Sequence, residues 1–89
     1  MNNEPYTIFL DPSATHDLNR LSSIDYKRID KHILSLRYAP RPRGCVKLGD
    51  DIFRIRVGPW RIIYLVDDSS RRVIISRIRR REKDTYRRT

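Results

Sequence analysis

The chain of 89 residues is short of several things, and each shortage excludes something. Cys45 is its one cysteine, so no internal disulfide can form and no cysteine-based metal cluster is available. That usage fits a reducing compartment. No apolar run approaches the roughly 20 residues needed to span a bilayer. The start, MNNEPYTIFLDPS, has neither a basic n-region nor a long apolar h-region, so no signal peptide is expected. A soluble, cytoplasmic protein with no membrane partner is the expectation. There are two histidines, His16 and His32; both fall in stretches that read as helices, far in sequence from the basic half, and each reads as a surface helix residue. P-loop, Gly-rich dinucleotide and Ser-His-Asp patterns are missing. Asp50-Asp51 and Asp67-Asp68 fall in turns, where aspartate is favoured for backbone reasons. No metal and no cofactor are therefore expected.

Acid is also scarce. The chain holds 20 Lys and Arg against 11 Asp and Glu, a formal net charge of +9. The excess is uneven: residues 1–36 carry four basic and five acidic side chains, residues 37–89 sixteen and six. A basic half joined to a near-neutral half suits a polyanion or an acidic protein partner. With 38% hydrophobic residues and this length, the chain is read as one domain, 1–89, with a thin core and room for one sheet and one or two helices.

Tyr6 to Leu10 alternates apolar and polar and reads as an opening strand. Asp11-Pro12 is a helix start, an N-cap followed by proline at the first helical position. The following SATHDLNRLS predicts a short helix burying Ala14, Leu18 and Leu21. Ser22 or Ser23 caps a second helix to about Leu36, with Tyr26, Ile29, Ile33 and Leu36 on one face. So short a connection predicts an antiparallel helical hairpin. The prolines of YAPRPRG, Tyr38 to Gly44, stop the second helix. Strand signals follow in CVKL, DIFRIRV, WRIIYLV and RRVIISRI, with turns at Gly58-Pro59 and DDSS, and the ending RRREKDTYRRT reads as a helical turn or a tail. The fold class is α+β: an N-terminal strand, a two-helix antiparallel hairpin, then a meander of three to four antiparallel strands in one twisted sheet, with the helices on one face.

In FRIRVGPWRIIY the pleat sends Phe53, Ile55 and Val57 one way and Arg54 and Arg56 the other. A two-residue loop at Gly58-Pro59 sets Val57 opposite Trp60 and Arg56 opposite Arg61. Like charges directly across a strand pair are destabilising, unless solvent makes them harmless or an anion lies between them. If the helices cover the apolar face, Arg54, Arg56 and Arg61 share the open one. Arg79, Arg80 and Arg81 follow close by, making a concave basic surface. The planar guanidinium suits phosphate because it donates two parallel hydrogen bonds. Trp60 and Tyr64 read as core, whereas Tyr86 sits among charges without apolar partners, placed to stack on a base or to act in proton transfer.

With these pieces in hand, the chain resembles the RelE/ParE toxin superfamily, bacterial and archaeal toxins of toxin–antitoxin pairs. The resemblance spans the opening strand, the helical hairpin, VKLGDDIFRIRVGPWRIIYLVDD and the ending ISRIRRREKDTYR. The family's lysine-leucine, alternating basic strand, YR-I/V-I/V-Y strand, R-V-G-H/K-R run and tyrosine correspond here to Lys47-Leu48, Arg54 and Arg56, Trp60 to Tyr64, Arg77 to Arg81, and Tyr86. The resemblance implies a RelE-like mRNA interferase, a ribosome-dependent and metal-independent endoribonuclease. Its partners would be mRNA in the ribosomal A site, the ribosome with its 16S rRNA, and a cognate antitoxin that wraps or displaces the C-terminal region. It implies a cleavage set of Arg61 on the scissile phosphate, Arg81 assisting the leaving 5′-oxygen, Tyr86 orienting the nucleotide, and Arg56. Arg54, Lys47, Arg79 and Arg80 would bind RNA. Two departures stand out. Lysines common in the family are Arg54 and Arg56 here, and arginine cannot be deprotonated in a protein, so the general base falls to Tyr86 or the ribosome. The run Arg79-Arg80-Arg81 leaves two registers, with Arg81 preferred and Arg80 the alternative. Other members inhibit DNA gyrase, as ParE does, so a gyrase-directed toxin and a non-cleaving nucleic-acid binder are the other readings.

Overall fold

Asp11 ends one element and begins the next, because Pro12 at the first helical position gives up an N–H that no helix would use. The computed structural model describes residues 4–81. Strand β1 (Thr7–Leu10) leads through Asp11 into α1 (Pro12–Asn19), and α2 (Ser23–Ser35) follows. Ser22 caps α2 by accepting a hydrogen bond from the Asp25 N–H at 3.2 Å, which satisfies one of the donors a helix start leaves over. The crossover reaches β2 (Val46–Lys47), and β3 (Ile52–Val57), β4 (Trp60–Asp67) and β5 (Arg72–Arg80) complete the sheet. Strand order is β1-β5-β4-β3-β2. The four later strands form the antiparallel meander, and β1 joins β5 in parallel. A parallel neighbour needs a crossover, and here the two helices and the meander supply it.

The core lies between the helices and one sheet face. Ala14, Leu18, Ile29, Ile33 and Leu36 from the helical segment meet Phe53, Ile55, Val57, Ile62, Tyr64, Val66, Val73, Ile75 and Ile78. Leu21 is half-buried against this cluster. Tyr26, expected on the buried face of α2, is instead exposed; Ile29, Ile33 and Leu36 suffice because the second helix meets the sheet mainly along β3. Tyr64 is fully buried and donates its hydroxyl to the Pro40 carbonyl at 2.7 Å. This contact fastens the proline-rich crossover to the sheet. At the far end Asp68 accepts from Tyr6 and, at 2.6 Å, from Arg41.

The last strand runs two residues further than its apolar pattern suggests, through Arg80. It is also irregular: Ile63 pairs with Arg77 but Tyr64 pairs with Ile75. Ser76 is thus the extra residue of a bulge. Before it Val73 and Ile75 point into the core; after it Ile78 does, and Arg77 and Arg79 point away. Asp17 of α1 holds this junction, accepting from the Ile78 N–H at 2.8 Å and from Arg77 at 2.9 Å. Burial pushes the Asp17 carboxyl up, but those hydrogen bonds and the Arg77 charge outweigh it and hold the group below the usual carboxylate range.

Replacing Asp17 with alanine strands the Ile78 N–H and should cost about 1–3 kcal/mol, read from urea unfolding; Asp17→Asn, which keeps an acceptor, should cost less. Asp68 is likewise held low, first by Arg41 and then by Tyr6. With both carboxyls depressed in the folded chain, the unfolded chain binds more protons in acid, so stability rises with pH there. Their contribution is in place above the ordinary value of 3.8 and is lost as pH falls below it. The thermal midpoint should therefore drop on acidification through that window, and less steeply for Asp17→Asn.

Candidate functional site

The β3–β4 hairpin turns on two residues. Gly58 has φ +60° and Pro59 follows with its fixed φ, the combination a type II′ turn requires. Val57 therefore faces Trp60 and Arg56 faces Arg61. On the other side of β4, Arg61 faces Arg79. Residues directly opposite in a ladder share a face, so Arg56, Arg61 and Arg79 form one row across three strands, on the face turned away from the helices. Arg54 belongs to the next row along, beside Ile63 and Arg77. The Arg81 N–H donates to the Pro59 carbonyl at 2.7 Å, which keeps the chain beside the turn after β5 ends.

The electrostatics are those of concentrated positive charge. Arg81 first, then Arg54, burial and Arg61 depress the Arg56 guanidinium below its ordinary value. Among the described residues no carboxylate is one of those influences. The Nε atoms of Arg54 and Arg61 are buried, with no hydrogen-bond partner among the described residues. Other arginines are committed elsewhere. Arg41 and Arg77 pair with Asp68 and Asp17, and Arg71 and Arg72 lie over the Tyr6 and Phe9 rings. Anions of the phosphate type match the geometry of such guanidinium donors.

The structure separates residues that the sequence grouped. Arg80 pairs with Trp60 and lies over its ring at 5.5 Å, on the helix side of the sheet, away from Arg79 and Arg81. Lys47 pairs with Phe53 and also leaves the sheet on that side. The alternation of the strand explains both, since each is one step out of phase with the arginine row. Tyr86 lies outside the described residues. Nor is the open face basic throughout: away from the turn it carries Ile63, Leu65 and Ile74, with Phe9 and Ile52 exposed.

His32 is exposed on α2, the surface helix residue the sequence suggests, and it also borders a cleft. A cleft of about 630 Å³ opens between α2, the crossover and β3, and His32 lines it together with Arg43, Arg54 and Arg56. Its edge exists because β2 pairs only with Phe53 and Arg54, leaving Ile55, Arg56 and Val57 without a strand partner on that side. Arg28, one turn before His32, reaches the hairpin, where its Nη1 lies 2.8 Å from the position a Gly58 Cβ would take. The signal was present: Arg28, His32 and Ser35 recur at four and three residues beside the buried stripe Ile29, Ile33 and Leu36. Among the described residues no cluster of His, Cys, Asp and Glu could hold a metal ion, and no helix is long and apolar enough to cross a membrane.

A family model described as the ParE toxin of the type II toxin–antitoxin system parDE matches residues 8–85. Among solved structures, the toxin–antitoxin complex RelBE2 from Mycobacterium tuberculosis superposes with a TM-score of 0.79 at 26% identity, covering 90% of this chain and 95% of that one. The archaeal RelE–RelB complex from Pyrococcus horikoshii gives 0.78 at 23% identity, covering 89% and 98%. The isolated Escherichia coli RelE toxin gives 0.79 at 21% identity, covering 88% and 86%. No curated protein matches the chain in sequence. The two helices over an open five-strand sheet are thus the RelE fold, and the chain belongs to the ParE toxin family of type II toxin–antitoxin systems, within the RelE/ParE superfamily.

Proposed function

We propose that this toxin is a metal-independent endoribonuclease that cuts mRNA in the ribosomal A site. The observation that carries the reading is the row Arg56, Arg61 and Arg79 flanked by Arg54 and Arg81, with the buried Nε atoms of Arg54 and Arg61 unpaired among the described residues. Such a row meets successive phosphates of a single strand and places donors where charge develops on phosphorus. In the reaction the 2′-hydroxyl attacks the adjacent phosphorus. The O2′–P bond forms as P–O5′ breaks, leaving a 2′,3′-cyclic phosphate. Arg61, central in the row, holds the non-bridging oxygens, Arg56 and Arg81 balance the charge that moves toward the 5′-oxygen, and Arg54 and Arg79 grip flanking phosphates. Tyr86 orients a base by stacking. Lys47 and Arg80, on the helix side, are peripheral to the RNA path. The ribosome, including its 16S rRNA, supplies the rest of the setting, in the cytoplasm.

An antitoxin is the second partner. The relatives from M. tuberculosis and P. horikoshii were solved as toxin–antitoxin complexes. The open face here joins the arginine row to an apolar area of Phe9, Ile52, Ile63, Leu65 and Ile74. An acidic, amphipathic segment would fit both halves, covering the one and neutralising the other.

The name of the matching family model favours a second reading, a ParE-like inhibitor of DNA gyrase. The two readings part at the row. In a translating extract, wild-type protein should give discrete cuts in mRNA at ribosome-occupied codons, mapped by primer extension. Arg61→Ala should lower the cleavage rate about 10²–10³-fold with little change in thermal midpoint, since Arg61 pairs with no carboxylate among the described residues. Arg81→Ala should weaken cleavage strongly while Arg80→Ala leaves it near wild type; the reverse would move the working register to Arg80. Intact messages beside inhibited gyrase supercoiling would replace the ribonuclease reading with the gyrase one.

A further inference from the structure

The arginines leave one step to another group, for which the sequence offers Tyr86, outside the described residues, or the ribosome. Something must accept the proton of the attacking 2′-hydroxyl, and guanidinium cannot. His32 lies in the cleft that Arg54 and Arg56 also line. Its Nδ1 is 3.0 Å from the Arg28 carbonyl oxygen. A carbonyl only accepts, so Nδ1 carries the ring proton and donates it. In the neutral ring Nε2 then keeps its lone pair. The helix that holds His32 thereby also fixes its tautomer, the arrangement found in histidines that act as bases.

The surroundings point the same way. Arg43 comes to the cleft from the crossover and Arg54 and Arg56 from β3, while Arg28 stands one turn back on the same helix. Among the described residues no carboxylate lines it to pair with the imidazole, and the cations favour a nucleotide phosphate. Arg56 belongs both to this cleft and to the cluster with Arg81, Arg54 and Arg61. The cleft is therefore a side arm of the arginine row around the uncovered edge of β3.

We propose that His32 is the proton acceptor of the cleavage reaction, an inference that rests on the endoribonuclease reading above. With a phosphate on Arg56 and Arg61, the ribose 5′ to it turns its 2′-hydroxyl into the cleft. Nε2 takes the proton as the O2′–P bond forms. The P–O5′ bond breaks, the 5′-oxygen takes a proton from water, and the imidazolium returns its own proton to the hydroxide so made. No metal, oxidant or other co-reactant enters the balance.

The test is single-turnover cleavage on ribosomes programmed with a defined message, between pH 5.5 and 8. Wild type should slow on acidification, because only a neutral imidazole accepts the proton. His32→Gln should be slower at pH 7.5 by about 10²-fold or more and should lose that limb. His32→Ala should regain activity when free imidazole is added, which a purely structural histidine would not allow. Binding to ribosomes whose message carries a 2′-deoxy sugar at the cut site should stay within about twofold of wild type for both variants, with thermal midpoints unchanged. Wild-type rates and an intact acid limb in His32→Gln would overturn the assignment. So would a fall in binding that accounts for the whole rate loss, which would make His32 a contact to RNA. Absence of cleavage by the wild type would overturn the ribonuclease reading first, and this role with it.

Discussion

Where β1 ends at Leu10, β5 runs on past Ile75 with one edge unpaired. The Asp17 carboxylate occupies that edge, taking the Ile78 N–H and the Arg77 guanidinium together. Everything the sheet presents beyond this point follows from the bulge that Asp17 secures. A strand with no extra residue at Ser76 would keep the parity of Val73 and Ile75, sending Arg77 and Arg79 into the core and Ile78 out to solvent. Burying two guanidiniums without partners is prohibitive, so the bulge is what makes the last strand compatible with the core. The same parity change lines Arg79 up with Arg61 and Arg56.

The arginines therefore divide by what they touch. Some are part of the fold: Arg77 at the bulge, Arg41 on Asp68 with its guanidinium over Phe53, Arg71 over Tyr6, Arg80 over Trp60. These spend their charge on a carboxylate or an aromatic face. Among the described residues the row around the hairpin does neither, and Arg81, Arg54 and Arg61 together depress Arg56. Such a surface gains when an anion arrives. In the function proposed above, RNA and an acidic antitoxin would meet the same residues, so one electrostatic feature would serve both cleavage and its suppression.

Much of the architecture was legible. Period-two alternation gave the strands and their buried faces, Asp11-Pro12 and Ser22 gave the helix starts, and Gly58-Pro59 gave the hairpin register that faces Arg56 with Arg61. These are local rules, and each depends on residues a few positions apart. Tyr26 shows where such rules stop. Its spacing puts it on the apolar stripe of α2, but the stripe is wider than the sheet surface it meets, and only packing reveals the width.

Sequence by itself determined the α+β class, the thin core, the basic second half and the pairing of Arg56 with Arg61, because periodicity, turn chemistry and charge are written along the chain. Tertiary structure decided that Arg79 completes the row while Arg80 and Lys47 face the helices, and that His32 comes to a cleft beside Arg54 and Arg56. The first depends on a single extra residue whose position is fixed by a carboxylate from another element. The second depends on where a helix lands against a strand edge that β2 is too short to cover. Neither is a property of neighbours in sequence, so neither could be read from spacing.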